Sequence, residues 1–259
     1  MAQSSPPLDK EILGRKIFFL YPSAVVQNRI TEELIQQEFE VYISKDHLKL
    51  RNCLKKYPDS IVFINIYDGM GEKEWETWVR GVQNDAETSQ VSIGIISPGE
   101  DENLKRKYLM QIKIQGGYIA LKSDLVPAIK QLFDTLRILE AKGRRKYLRA
   151  LVQNEPNTTV NLPHNGTFIK GIIKDISVVG FSCIFEDDPE LAKNSLVQDI
   201  QVKLQTSILK TEGIVFGSRM DENQKTYVFL FTQRIDPETR ARIRRYIQSN
   251  LQEKMDKGL

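Results

Sequence analysis

Lys142-Gly143-Arg144-Arg145-Lys146-Tyr147-Leu148-Arg149 is the stretch at which the chain changes its pattern. Upstream of it, short apolar runs alternate with segments of helical spacing. Downstream, short strand-like runs follow one another with turn residues between them. The basic octet therefore reads as a linker, 142–149, between an α/β half and a β half. Gly143 after a long amphipathic segment reads as the stop of the last upstream helix.

Working back from the linker, residues 124–141 carry Leu125, Ile129, Leu132, Phe133, Leu136 and Leu139 as one apolar stripe, a helix. The runs 16–20, 41–43, 61–66, 91–96 and 118–121 are short and apolar, as expected of strands buried on both faces of a parallel sheet. Helices are expected between them at 24–39, 47–56, 72–82 and 104–112. Strands alternating with helices predict βαβ units. A flavodoxin-like, doubly wound parallel sheet over residues 13–141 is the simplest architecture. Residues 1–12, polar and containing Pro6 and Pro7, read as a tail.

Working forward, strands are expected at 148–152, 159–162, 167–176, 180–185, 198–204, 207–217 and 226–233. Asn154 to Asn157, His164 to Gly166 and Asp221 to Asn223 supply the turns. Many short strands joined by turns predict an antiparallel barrel. Asp236-Pro237-Glu238 then opens a helix, with Ile243, Tyr246, Ile247 and Leu251 as its apolar face. The fold class is thus α/β plus β, with residues 150–259 a small antiparallel β-barrel closed by a helix.

The 259 residues are 41% hydrophobic and 27% charged, enough apolar material for two cores. No apolar run approaches the roughly 20 residues of a membrane span, and no membrane insertion is expected. The first residues lack the basic-then-apolar pattern of a secretory signal. Cys53 and Cys183 are isolated from one another, which fits a reducing, cytoplasmic setting. His47 and His164 read as surface residues, and no metal is expected. A net charge of +3 is too small to argue for nucleic acid by itself. The positive charge does gather in two clusters, at the linker and at Arg240, Arg242, Arg244 and Arg245. The second reads as the solvated face of an amphipathic helix. No nucleophile, base and orienting group occur together, so the chain is not expected to be an enzyme.

Two motifs carry the function. Arg145 and Arg149 lie four apart in the linker, and Asp175-Ile176-Ser177-Val178-Val179-Gly180 falls at a strand-to-strand corner. Roughly 25 residues separate them, in that order. Together they resemble the RxxxR and D/NxSxxG motifs of the PilZ family of cyclic di-GMP receptors, and the resemblance covers nearly the whole C-terminal half. It implies a ligand site made of Arg145, Arg149, Asp175, Ser177 and Gly180, with Arg144 as a further contact. The residue types suit such a ligand. An arginine fork holds a phosphate or a guanine edge by two hydrogen bonds and stacks on aromatic planes. Asp175 can accept from the donors of a guanine edge, and Ser177 can add a polar contact. Gly180 would allow close approach of ligand and backbone, or supply a turn conformation closed to other residues.

The α/β half resembles response-regulator receiver domains in its order of elements. That family needs an acidic pair after the first strand and an aspartate at the end of the third. Here the corresponding stretches read Leu20-Tyr21-Pro22-Ser23 and Ile64-Asn65-Ile66, and Asp68 falls past the acceptor position. Ser97 and Lys122 match the family's hydroxyl and lysine. A pseudo-receiver that takes no phosphate is expected. Trp75 and Trp78 are expected in a core or an interface.

The expectation is a switch. Cyclic di-GMP binds at the arginine linker and barrel, alters the domain arrangement and so regulates an unidentified partner protein. The alternatives are a degenerate PilZ-like scaffold that binds only protein, and a nucleic-acid-binding regulator using the two basic clusters.

Overall fold

Four-residue runs such as Ile17-Phe-Phe-Leu20 and Ile61-Val-Phe-Ile64 are too short for a stable helix and apolar on both faces. They become strands buried from end to end. The computed structural model describes residues 14–221 and 224–258. The tail expected at 1–12 and most of the turn expected at 221–223 lie outside them. The chain separates into two units. Tyr147–Leu251 form one, and the residues up to Lys146 form the other together with Gln252–Leu259.

In the first unit, β1 (Ile17–Leu20), β2 (Val41–Ser44), β3 (Ile61–Ile64), β4 (Ser92–Ser97) and β5 (Tyr118–Ala120) make a parallel sheet in the order β2-β1-β3-β4-β5. This is the flavodoxin-like order, with its switch point between β1 and β3. The intervening helices are α1 (Thr31–Gln36), α2 (His47–Lys56), α3 (Glu72–Asn84), α4 (Glu102–Arg106) and α5 (Val126–Ile138). A π-helical turn, Val26–Ile30, leads into α1, and another, Lys107–Ile112, follows α4. Asp46 caps α2 by accepting from Leu48 N and Lys49 N. The apolar stripe of α5 meets the sheet through Ala128, Leu132 and Leu136. Trp75 and Trp78 are buried, stacked edge to face on α3.

Two expectations for this unit need correction. The last helix does not run to 141 with Gly143 as its stop. It closes at Ile138, where Glu140 takes a left-handed φ of 51° and Ala141 N reaches back to Leu136 O at 2.9 Å. The backbone bonds that end the helix are thus made without a glycine. His47 is not a bare surface residue either. Its Nδ1 lies 3.2 Å from the Tyr21 hydroxyl, and its ring packs against Trp75.

In the second unit, β6 (Ala150–Leu151), β7 (Thr158–His164), β8 (Thr167–Ser177), β9 (Gly180–Phe185), β10 (Leu196–Leu204), β11 (Ser207–Asp221) and β12 (Gln224–Phe231) are antiparallel. The order β8-β7-β10-β11-β12-β9 closes through β9–β8 pairing into a six-stranded barrel, with β6 added along β8. Full closure removes the exposed edges an open sheet would leave. Asn165 and Gly166, both at positive φ, make the two-residue turn between β7 and β8. β11 runs past residue 217, where the sequence pattern ended it. A bulge between Val215 and Gly217 lets the strand bend and stay paired with β12. Phe181, Cys183, Phe185, Tyr227 and Phe229 fill the barrel, and Ile243, Tyr246 and Ile247 of α6 (Pro237–Gly258) join that core. Asp236 caps α6, accepting from Thr239 N at 2.9 Å.

Residues 252–258, placed by the sequence with the barrel, pack in the first unit. The Gln252 amide accepts from Ile43 N (2.9 Å) and donates to Ile43 O (3.0 Å), satisfying the outer edge of β2. Met255 Sδ lies 3.3 Å from the buried Cys53 Sγ.

Candidate functional site on the barrel face

The corner of the second motif is the β8–β9 hairpin. Ser177 pairs with Gly180 across Val178-Val179. Ser177 is 3% exposed. Its hydroxyl donates to Gly180 O (3.1 Å) and accepts from Val179 N (3.4 Å), so its proton is spent inside the turn. In this structure the Ser177 hydroxyl, expected from the sequence to contact the ligand, is engaged in shaping the corner. Gly180 carries no positive φ. A Cβ there would lie 2.1 Å from Phe229 O. The backbone that approaches Gly180 closely is that of β12, and this is a packing reason for the glycine.

Asp175 owes its direction to an irregularity. In β8–β9 the pairing runs Ile173↔Cys183 and then Asp175↔Ser182, with Lys174 as the extra residue. Regular alternation would set Lys174 opposite Ser182 and turn Asp175 toward the core beside Ile173. The bulge puts Asp175 on the outer face and returns Ile176 to the core. Lys174 is taken up by Asp221 Oδ2 at 3.2 Å.

On the other edge of β8, Ala150 pairs with Ile176 and Leu151 with Asp175. This pairing brings Arg149, one residue before β6, to Asp175. Arg149 Nη1 donates to Asp175 Oδ1 at 3.2 Å. Ser182 Oγ donates to Asp175 Oδ2. The Asp175 side chain is 18% exposed and that of Arg149 47%. One member of each motif therefore meets the other across 26 residues of chain. Arg144 and Arg145 are exposed on the segment upstream.

Ser182 was missed by the sequence reading. The alternation Gly180-Phe-Ser182-Cys-Ile184-Phe does put it on the face of Gly180. Its pairing with Asp175, however, depends on the bulge, which leaves no mark in the polar–apolar pattern.

The C-terminal edge of the parallel sheet is the other place where chemistry could sit. There the Asn65 amide donates to Tyr21 O (3.0 Å) and accepts from Tyr67 N (3.2 Å). Tyr21, at φ 52°, packs its ring on Trp75. Ser97 Oγ bonds Gly99 O, and Lys122 Nζ pairs with Glu100 at 2.7 Å. Asp68 accepts from Gly69 N at 2.7 Å. Asn65, Ser97, Lys122 and Asp68 are each engaged with a near neighbour. Among the described residues, no group of three or more His, Cys, Asp or Glu could hold a metal ion. No helix there is long and apolar enough to cross a membrane.

Residues 143–249 match the family model of the PilZ domain. No curated protein matches the chain. Among solved structures, the PilZ domain of Escherichia coli YcgR with c-di-GMP is 17% identical, with 44% of this chain aligned to 97% of that one and a TM-score of 0.38. The Bacillus subtilis inhibitor of motility is 16% identical over 45% of this chain and 53% of that one, with a TM-score of 0.37. The MrkH–c-di-GMP complex of K. pneumonia is 17% identical over 45% and 57%, with a TM-score of 0.40.

Proposed function

We propose, from the PilZ domain at residues 143–249, that this chain is a cyclic di-GMP receptor whose ligand sits on the outer barrel face at Asp175. The observation that carries the reading is the Arg149–Asp175 pair, which joins the two motifs of that family in one place. A half-exposed pair of this kind is worth about 1 kcal/mol or less. A dianionic ligand can therefore take the guanidinium from Asp175 at little cost. Arg149 then holds a phosphate or a base edge, and the freed carboxylate accepts from guanine. Arg145 and Arg144 supply further guanidinium groups from the same segment, and Gly180 and Ser177 set the shape of the corner beneath.

The output in this reading is mechanical. The arginine segment joins the long helix of the α/β unit to the first barrel strand. Ligand that orders the segment biases the arrangement offered to a partner protein, by no more than its differential affinity for the two arrangements. The test is isothermal titration with cyclic di-GMP beside the Arg145→Ala/Arg149→Ala double variant. Saturable binding that weakens about 100-fold or more in the variant is expected, since each charged hydrogen-bonding group lost costs about tenfold. Undiminished binding by the double variant would place the site elsewhere. No binding by the wild type would leave an interaction scaffold.

A further inference from the structure

Side chains on β9 alternate, with Phe181, Cys183 and Phe185 in the core and Gly180, Ser182 and Ile184 on the outer face. Ser182 is nonetheless only 4% exposed. Its cover includes the carboxylate to which it donates, Asp175 Oδ2. The two hydrogen bonds on Asp175 are of different kinds. Arg149 reaches Oδ1 on a long side chain that is 47% exposed. Ser182 reaches Oδ2 from the directly opposite position of the neighbouring strand, through a single side-chain torsion. A ligand can compete for the first bond. The second is buried with the strand pairing.

We infer that Ser182 is a positioning residue of the ligand site, holding the Asp175 carboxylate in the plane that reads a purine carrying a 2-amino group. The inference rests on the receptor reading above and deepens it. A guanine edge presents two parallel donors, the ring N–H and the amino group, and both carboxylate oxygens must lie in its plane to accept them. The terminal torsion of an aspartate is broad and does not fix that plane by itself. A hydroxyl donating to Oδ2 does, and it uses only one of the acceptor sites on that oxygen. Once Arg149 has moved to the ligand, Ser182 is, among the described residues, the remaining side chain bonded to the carboxylate. Hypoxanthine lacks the 2-amino group and offers one donor, and a single bond tolerates a rotated carboxylate. The contribution of Ser182 therefore falls on the discrimination between the two bases.

The experiment is titration of wild type, Ser182→Ala and Ser182→Thr with cyclic di-GMP and with its hypoxanthine analogue, each variant also being melted. Ser182→Ala should weaken cyclic di-GMP about tenfold, the worth of one hydrogen bond to a charged group. The analogue should move by about twofold or less, because its single bond to Asp175 survives. Ser182→Thr keeps the hydroxyl and should restore the preference for guanine. Equal weakening of both ligands, a loss that tracks a lowered melting temperature, or no loss at all would overturn the inference while leaving the receptor reading intact. Failure of the wild type to bind cyclic di-GMP is a separate result, visible before any variant is compared, and it removes both.

Discussion

A glycine in a ligand motif can be there for the ligand or for the fold, and at Gly180 the packing supplies a fold reason. Its missing Cβ would sit 2.1 Å from a backbone oxygen of β12. No flexible side chain stands in the way to yield, so the strands must part. Gly180→Ala should destabilise the barrel by about 3 kcal/mol, the upper range for overpacking a closed interior. Each unit carries its own reporter. Cys183 lies in the barrel core, its thiol pushed up by burial, and Cys53 lies in the α/β core, pushed up to about 11 by burial. In Gly180→Ala, Cys183 should become reactive to a thiol reagent at lower urea while Cys53 opens where it did before. Coincidence of both curves with wild type would return Gly180 to the ligand. At this scale the sequence was partly legible. Arg145, Arg149 and Asp175 are visible as a spacing of residue types. The turn-bound state of the Ser177 hydroxyl and the partnership of Ser182 with Asp175 depend on geometry that no spacing records.

The elements were read more fully than their joints. Hydrophobic period located every strand of both sheets, because strands buried on both faces, or on one, must be apolar in period. Ends and irregularities escaped. The long helix stops three residues before the expected end, since Glu140 accepts a left-handed conformation that the pattern reserves for glycine. Arg15, a buried cation at the foot of β1, donates to Leu139 O (2.9 Å), Ser60 O (3.1 Å) and Ser92 Oγ (2.8 Å), and nothing in its sequence neighbourhood announces this. The end of α6 is the larger case. Its amphipathic pattern assigns it to the barrel, yet Gln252 imitates a strand neighbour for β2, which has no other partner on that edge among the described strands. Gln252→Ala should strip two hydrogen bonds from Ile43 and destabilise the α/β unit by about 1–2 kcal/mol. Because Met255 on the same helix end covers Cys53, the variant should expose Cys53 at lower urea with Cys183 unmoved. A shift of Cys183 alone would mean that these residues serve the barrel instead.

At the scale of the whole molecule, a five-stranded parallel α/β unit is joined to a barrel that matches the PilZ domain model, and the resemblance of the first to receiver domains can be tested by its chemistry. Acyl phosphate formation needs a free carboxylate, helped by a metal beside it that offsets the charge of the incoming phosphoryl group. Asn65 follows β3, and its amide is held between Tyr21 O and Tyr67 N. No acid follows β1; Tyr21 does, with its ring on Trp75. Lys122, which could neutralise a phosphoryl oxygen, is paired with Glu100 and holds that carboxyl below the usual range. Asp68 is the nearest acid past β3, and its side chain binds the backbone of its own turn. Incubation with acetyl phosphate and magnesium should therefore leave the intact mass unchanged, and Asp68→Asn should behave as wild type. A stoichiometric phosphoryl increment that disappears in Asp68→Asn would restore a receiver. With no increment, Asn65 and the engaged Lys122 and Asp68 account for an α/β unit that takes no phosphoryl group from this donor.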